Sequence, residues 1–330
     1  MVGDKAKKFR ATQRITKIKT RKNPTMSHLE LFVSQSNVFS GIQEPFEKAN
    51  YVFFGVPFDA TSTYRVGARF GPNVIRQASL NIETHSFRTG IDVEDLKLHD
   101  LGDLHVSADL KKTIGMLKLV VEDIAATGKK TVAVGGEHTI TLGVLKGLGA
   151  KAQKTALVSF DAHLDLRKEF LGLKLSHATF MHWINEELKP ALIVEVGTRA
   201  VCKEEIAYAK KSGIDFFTSQ QIRMEGPGQI AKRLAKKLAP YENVYLSIDM
   251  DVLDPAYAPA VQNPEPEGIE THTLIDILCA LCDNRVVGFD VMEVAPNHDQ
   301  GTTAIQASRV IFEILCCLEK SRKEQLRRKK

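Results

Sequence analysis

Three short segments carry residue types whose spacing could bind metal. In TALVSFDAHLDLR (155–167), Asp161, His163 and Asp165 stand at i, i+2 and i+4 where an apolar run ends. In extended chain that spacing sends all three side chains the same way. In NVYLSIDMDVLDP (243–255), Asp249 and Asp251 repeat the i, i+2 pattern after a second run, and in VAVGGEHT (132–139) His138 follows a third. Gly135 and Gly136 there permit close backbone approach. A lone Asp after a strand is usually a cap or turn residue, and a lone His is usually a hydrogen-bonded core residue. Four carboxylates and two imidazoles at strand ends are too many for caps. Brought together in a partly buried site, four like charges need protons or cations. Two divalent ions supply the matching charge. The donor set is all oxygen and nitrogen, which disfavours structural zinc and suits Mn²⁺, with Ni²⁺, Co²⁺ or Fe²⁺ as substitutes. Two such ions about 3.5–4 Å apart can share one water and convert it to hydroxide near neutral pH, a nucleophile for hydrolysis.

The elements that must position these residues are legible as apolar runs at 51–57, 131–136, 155–161, 191–197, 243–249 and 286–294. Their continuous apolar character predicts strands buried on both faces, as in a parallel sheet. Helix-like stretches lie between them at 109–127, 139–149, 177–188, 203–212, 228–239, 271–282 and 302–320. The alternation predicts a doubly wound α/β fold, and the absence of a linker or an internal repeat predicts one domain. Ligands in such folds sit beyond the carboxyl ends of the strands, where the candidate residues lie.

Composition bounds the partners. Of 330 residues, 43% are apolar and 26% charged, which excludes disorder for most of the chain. No apolar run reaches the ~18–20 residues of a membrane helix. The first 25 residues lack a secretory signal, so a cytoplasmic protein is expected. The formal charge of +5 hides a division: residues 1–26 carry +8, residues 321–330 carry +5, and the body between them carries −8. The two ends are expected to be a basic, mobile N-terminal extension and a basic C-terminal tail around a domain at 27–320. Neither has the aromatic interleaving of a single-strand nucleic-acid binder. Met26 is an alternative start. The N-terminal segment is also acid-poor like an import peptide, but it lacks serine. The five cysteines have no secreted-framework spacing. Cys279 and Cys282 fall in LIDILCALC, whose periodicity favours a buried helix face over a zinc site.

GGEHT, DAHLD and SIDMDVLDP, in that order, resemble the signatures of the ureohydrolase family, which includes arginases and agmatinases. The similarity runs from about GVPFD (55–59) to EVAPNHD (293–299). It implies a single three-layer α/β/α domain with a mainly parallel sheet, assembled as homotrimers or homohexamers. It implies two Mn²⁺ per subunit, one held by His138, Asp161, Asp165 and Asp249, the other by His163, Asp161, Asp249 and Asp251. Asp165 would also accept a hydrogen bond from the bridging hydroxide. His177, in LSHAT, matches a loop histidine that moves protons, and Glu293, in MEVAP, matches the carboxylate that pairs with the substrate guanidinium. Taken alone, His177 reads as a surface residue beginning a helix and Glu293 as a strand-end turn.

The implied activity is hydrolysis of a small guanidino compound to urea and an amine. A positioned carboxylate can place the guanidinium carbon by charge-assisted hydrogen bonds, and a group titrating near neutrality, such as His177, can protonate the leaving nitrogen. The loop LRKEFLGLKLS (166–176) lacks the Asn- and Ser-rich stretch of arginases and, with GVPFDATSTYRVGARFGPNVIR (55–76), is closer to archaeal-type agmatinases. That favours agmatine over L-arginine. Arg167 and Lys168 pull the other way, since cations facing the substrate tail suit a carboxylate. VQNPEPEGIE (261–270) and Ala178 also depart from the agmatinase pattern. Guanidinobutyrase and guanidine hydrolase activities, a related single-zinc deacetylase and a tail-driven binding protein are the further alternatives.

Overall fold

The computed structural model describes residues 28–34 and 37–328. The expectation of a mobile N-terminal extension at 1–26 lies outside the described residues, as does Met26. Nine strands form one sheet: β1 Val33–Ser34, β2 Tyr51–Val56, β3 Leu98–Leu104, β4 Lys130–Gly135, β5 Thr155–Phe160, β6 Leu192–Thr198, β7 Asp215–Thr218, β8 Asn243–Asp249 and β9 Val286–Met292. Their order is β1-β3-β2-β4-β9-β8-β5-β6-β7. Only β1 runs antiparallel, against β3 at one edge; every other neighbouring pair is parallel.

The continuous apolar runs are explained by cover on both faces. Along β2, Tyr51 and Phe53 face one core, while Val52, Phe54 and Val56 face the other. The first core is closed by α2 (Gly71–Ser79), α7 (Ser219–Glu225), α8 (Pro227–Leu238), α9 (Thr271–Leu281) and α10 (Thr302–Arg328). The second is closed by α3 (Leu110–Ala126), α4 (Thr141–Gly147), α5 (Phe180–Trp183) and α6 (Lys203–Ser212). The short α1 (His28–Phe32) packs on α3. This is the expected three-layer α/β/α arrangement.

The differences from expectation have local causes. The stretch at 177–188 is helical only over Phe180–Trp183 and then widens into a π-turn at Ile184–Leu188, closed by Lys189 in left-handed backbone. His177 therefore lies in the preceding loop. The helix expected to end at 320 continues to Arg328, so residues 321–328 belong to α10, and Arg322 clamps the buried Glu319 at 2.7 Å. The reading of 321–330 as a separate tail is corrected to that extent. Strand β3 was unpredicted because LHDLGDL is interrupted by charge. Its Asp100 and Asp103 are matched by Arg76 of α2, which is fully buried and donates to Asp100 at 2.8 Å and 2.9 Å and to Asp103 at 2.6 Å.

Removing that guanidinium strands the buried Asp100 carboxylate. Arg76→Leu is expected to cost about 3–5 kcal/mol of unfolding free energy. Denaturant titration checks this, the midpoint falling with little change in slope.

Candidate metal centre

Strands β4, β9, β8 and β5 are consecutive in the sheet, and their carboxyl ends deliver the candidate side chains. His138 begins the short 3₁₀ turn after β4, Asp161 follows β5, Asp249 ends β8, and Glu293 follows β9. The Gly135–Gly136 pair lets this turn come close: a Cβ on Gly136 would collide with the Phe58 carbonyl. Asp161 and Asp249 begin tight turns by accepting the backbone N–H two residues on, from His163 at 2.6 Å and Asp251 at 2.8 Å. Asp251 in turn accepts from the Ala162 N–H at 3.1 Å, which locks the two turns together.

Two sets of side chains converge closely enough to hold cations: His138 with Asp161 and Asp249, and His163 with Asp161 and Asp251. Asp161 belongs to both. His138 Nδ1 lies 3.0 Å from Asp161 Oδ2 and 3.1 Å from Asp249 Oδ2, and His163 Nδ1 lies 3.0 Å from Asp251 Oδ2. Asp249 is absent from the second set, because one of its oxygens turns to His138 and the other accepts the Asp251 N–H. Asp165 stands outside both sets and lines the cavity beside them.

These residues fit a metal. His138 Nδ1 is buried and near two carboxylates, yet is in hydrogen-bond geometry with neither, as expected of a nitrogen and oxygens directed at a common cation. Its other nitrogen, Nε2, is held by Ser247 Oγ at 2.8 Å, and Ser247 donates to Asp290 Oδ1 at 2.6 Å. Tyr245 and Thr141 also donate to Asp290, so the whole support is buried and satisfied. This is the outer hydrogen bonding that fixes a ligating imidazole.

The electrostatics without cations show the cost. Burial, then the charges of Asp251 and Asp161, pushes Asp249 far above the usual carboxylate range. Burial and Asp161 do the same to Asp165, and burial and Asp249 to Glu293. Burial would also raise Asp161, but contacts with His138 and His163 outweigh it and hold that carboxyl low. Both imidazoles are correspondingly driven up by the carboxylates despite their burial.

A cavity of about 480 Å³ opens over this centre. Glu293 reaches it from left-handed backbone at φ 70, as does Asp165 at φ 51. That region is uncommon for a side chain such as that of Glu293, whereas Asp visits it more readily. Glu293 Oε1 accepts the His138 N–H at 2.7 Å, while its buried Oε2 has no partner. His177 faces Thr61 Oγ1 and Thr63 Oγ1, each at 3.3 Å, and packs edge-on against Phe170. Burial, aided by His163, lowers its pKa to about 4. The expectation that His177 titrates near neutrality is therefore corrected: it rests as a neutral imidazole.

Arg167 lines the cavity, lying over Phe170 with its Nε 3.8 Å from Glu205. Lys168 does not: it lines only a neighbouring cavity, whose wall Arg167 also shares. Its expected role as a substrate contact is corrected accordingly. Several residues were not singled out from sequence. Buried Glu137 accepts from Thr61 N, Thr61 Oγ1 and Thr139 Oγ1 at 2.6–2.7 Å, and so ties the 59–67 loop to the His138 turn. Thr61 also accepts the His177 N–H at 3.0 Å. Arg199 spends its donors on backbone carbonyls from 197 to 266, which steadies the rim carrying Glu265. Glu137 sits inside GGEHT, so its signal was present; Thr61 and Arg199 carried none beyond their places in loops.

The two converging sets of side chains could hold metal ions, and comparison with known proteins gives the family. The Arginase family profile matches residues 49–317. The chain is 33% identical to an agmatinase of Bacillus anthracis over 84% of this chain and 95% of that one. It is 34% identical to the N(1)-aminopropylagmatine ureohydrolase of Thermococcus kodakarensis, over 81% and 90% of the two. The agmatine ureohydrolase structure of Thermoplasma volcanium superposes with a TM-score of 0.81 at 34% identity, covering 88% of this chain and 97% of that one. The chain belongs to the arginase family. It is an enzyme of the class that hydrolyses guanidino and amidino compounds, and its similarity is to agmatinases, archaeal ones included. Among the described residues no helix is long and apolar enough to cross a membrane.

Two measurements follow. Asp249→Asn is expected to bind fewer equivalents of a divalent cation than wild type by calorimetric titration, whereas Glu265→Gln, at the rim, binds as many as wild type. For His177, the folded pKa of about 4 lies below the ordinary 6.5, so between those values the unfolded chain takes up a proton that the folded one refuses. Its contribution is complete above about pH 6.5 and is lost as pH falls towards 4. Metal-free wild type should therefore lose stability relative to His177→Gln across that window, by denaturant titration at each pH.

Proposed function

We propose that this chain hydrolyses agmatine to putrescine and urea with two Mn²⁺ ions bound. His138, Asp161, Asp165 and Asp249 would hold one ion, and Asp161, His163, Asp249 and Asp251 the other. When bound, such ions polarise a water and make it a nucleophile near neutral pH. The observation that carries the reading is Glu293, a carboxylate with a buried, unpartnered oxygen beside the metal ligands. A guanidinium is the cation whose planar N–H pairs suit it, and the interaction would place the guanidinium carbon over the centre. Asp165, which lines the cavity, would accept a hydrogen bond from the attacking water. His177, neutral between two hydroxyls, would pass a proton to the leaving nitrogen, which departs as the amine while the carbonyl product leaves as urea.

The agmatinase names among the relatives and the carboxylates Glu205 and Glu265 in the cavity wall support an ammonium at the substrate's far end. A second reading, L-arginine to L-ornithine and urea, is favoured by one residue. Arg167 lines the same cavity, and its nearest carboxylate, Glu205, lies 3.8 Å away. N(1)-aminopropylagmatine, the compound named for the Thermococcus relative, shares agmatine's guanidinobutyl unit and falls in the same substrate class. A homotrimer or homohexamer in the cytoplasm, supplying polyamine synthesis, completes the proposal.

Urea release from Mn²⁺-loaded protein decides the substrate. Agmatine is expected to exceed L-arginine in kcat/KM, and Arg167→Ala to leave it within about threefold, as for a solvated rim charge. Preference for L-arginine, abolished by Arg167→Ala, would reverse the assignment. Asp249→Asn is expected to release no measurable urea, and deletion of residues 1–26 to leave kcat/KM unchanged.

A further inference from the structure

The candidate ligands collect beyond the carboxyl ends of the strands, and a set of cations collects at the opposite, amino ends. Two small cavities there, of about 310 Å³ and 180 Å³, share Gly128, Lys129 and Lys130 in their walls. Lys48 and Arg322 complete the cationic lining of the first and Lys151 that of the second, against the single carboxylate of Glu47. Arg322 is spent on the buried Glu319 at 2.7 Å. The four lysines are not: among the described residues the ion-paired lysines are Lys118, Lys146, Lys237 and Lys323. Lys129 donates to the main-chain carbonyls of Glu47 and Ala49, and Lys130 to those of Asn284 and Val286. An ammonium has three donors, so two carbonyls leave one over and cancel no charge. Burial pulls the pKa of Lys130 down to about 8 despite Asp283 nearby, as befits a cation short of counter-charge. Asn50 also lines the first cavity, and its buried Nδ2 has no acceptor.

Both basic ends of the chain meet this edge. Glu319 of α10 accepts from the Tyr51 hydroxyl at 3.2 Å where β2 begins, and the Ser321 carbonyl accepts from Asn284 just before β9. Residues 321–330, at +5, therefore continue from the rim of the first cavity. The His28 N–H donates at 3.1 Å to Asp123 in the last turn of α3, which leads through Gly128 into Lys129. Residues 1–26, at +8, thus join the fold beside the same lysines. The carboxylates of the edge are engaged internally: Asp123 by His28, Glu319 by Arg322 and Asp283 by Arg285 at 2.7 Å. Fixed cations flanked by two basic segments fit a polyanion. A lipid surface would need an apolar face to take up, and residues 321–328 offer one apolar side chain, Leu326. Neither end has aromatic residues interleaved for stacking on bases, which leaves the sugar–phosphate backbone as the group contacted.

We propose that the amino edge of the sheet is a docking surface for the phosphate backbone of a nucleic-acid duplex, bound without regard to sequence. Phosphate oxygens would take the spare lysine donors and the Asn50 amide at the two cavities, and the two basic ends of the chain would add contacts on either side. The surface lies at the opposite end of the strands from the candidate metal centre, so a bound duplex leaves that cavity open.

The test is fluorescence anisotropy with the full chain and two labelled duplexes of about 20 base pairs and unrelated sequence, titrated with salt. The two are expected to bind within about twofold of each other, with affinity falling about a thousandfold between about 50 and 200 mM salt. Lys48→Glu/Lys151→Glu reverses two exposed charges at the cavities. It is expected to keep the wild-type melting temperature, weaken binding about tenfold and flatten the log–log salt slope by about two. Lys48→Ala/Lys151→Ala, which adds no charge, is expected to move both quantities the same way by less. No binding by wild type at about 50 mM salt, or wild-type affinity and slope in both lysine variants, would overturn the docking surface. A tenfold preference for one duplex would overturn its indifference to sequence. Tighter binding to phosphatidylserine vesicles than to either duplex would overturn the nucleic acid as partner and make the face a membrane contact.

Discussion

The structure is organised around carboxylates that cannot be buried by themselves. Asp161, Asp249 and Asp251 are each no more than 3% exposed and crowd against one another and two imidazoles. Each charge would be costly in a low-dielectric interior without a counterion. The remaining choices of the fold serve that arrangement. Parallel strands end at one level, their turns are tied by the carboxylates' own hydrogen bonds, and the backbone approaches closely only where glycine permits.

Below the ligands lies a second polar row. Glu195, Ser159, Ser247 and Asp290 share one register across β6, β5, β8 and β9. Ser247 and Asp290 convert that row into support for His138, so the imidazole's orientation is set from inside the sheet. On the cavity side, Glu137 and Thr61 join the His138 turn to the His177 loop. The candidate ligand His138 and the cavity residue His177 are thus positioned through one hydrogen-bonded unit.

The parts of this legible in sequence were those that leave a one-dimensional trace. Strands buried on both faces appear as unbroken apolar runs, and ligands at strand ends appear at i, i+2 spacing, so the sheet centre and the six candidate ligands could be named. Strand β3 could not, because Asp100 and Asp103 read as loop until Arg76, 24 residues earlier, is folded over them. Helix-like periodicity at 177–188 concealed a π-turn, which the pattern of apolar residues does not distinguish from regular helix. Lys168 was misplaced because two adjacent cations read alike in sequence, while only Arg167 also reaches the cavity over the candidate ligands. The pKa of His177 depends on burial by loops distant in the chain and leaves no local trace.

The strand order also dictates when the protein can come into being. β4 and β5 follow one another in the chain but are separated in the sheet by β9 and β8. A chain emerging from synthesis up to β7 would hold His138, Asp161 and His163 on strands facing a gap two strands wide, with no Asp249 or Glu293 to close it. Assembly must wait for about the last quarter of the chain to insert into the middle, a non-local step of the kind that slows folding and exposes unpaired edges to aggregation. A cation arriving before those strands would meet His138, Asp161, His163 and Asp165 but lack Asp249 and Asp251, two of the six candidate ligands.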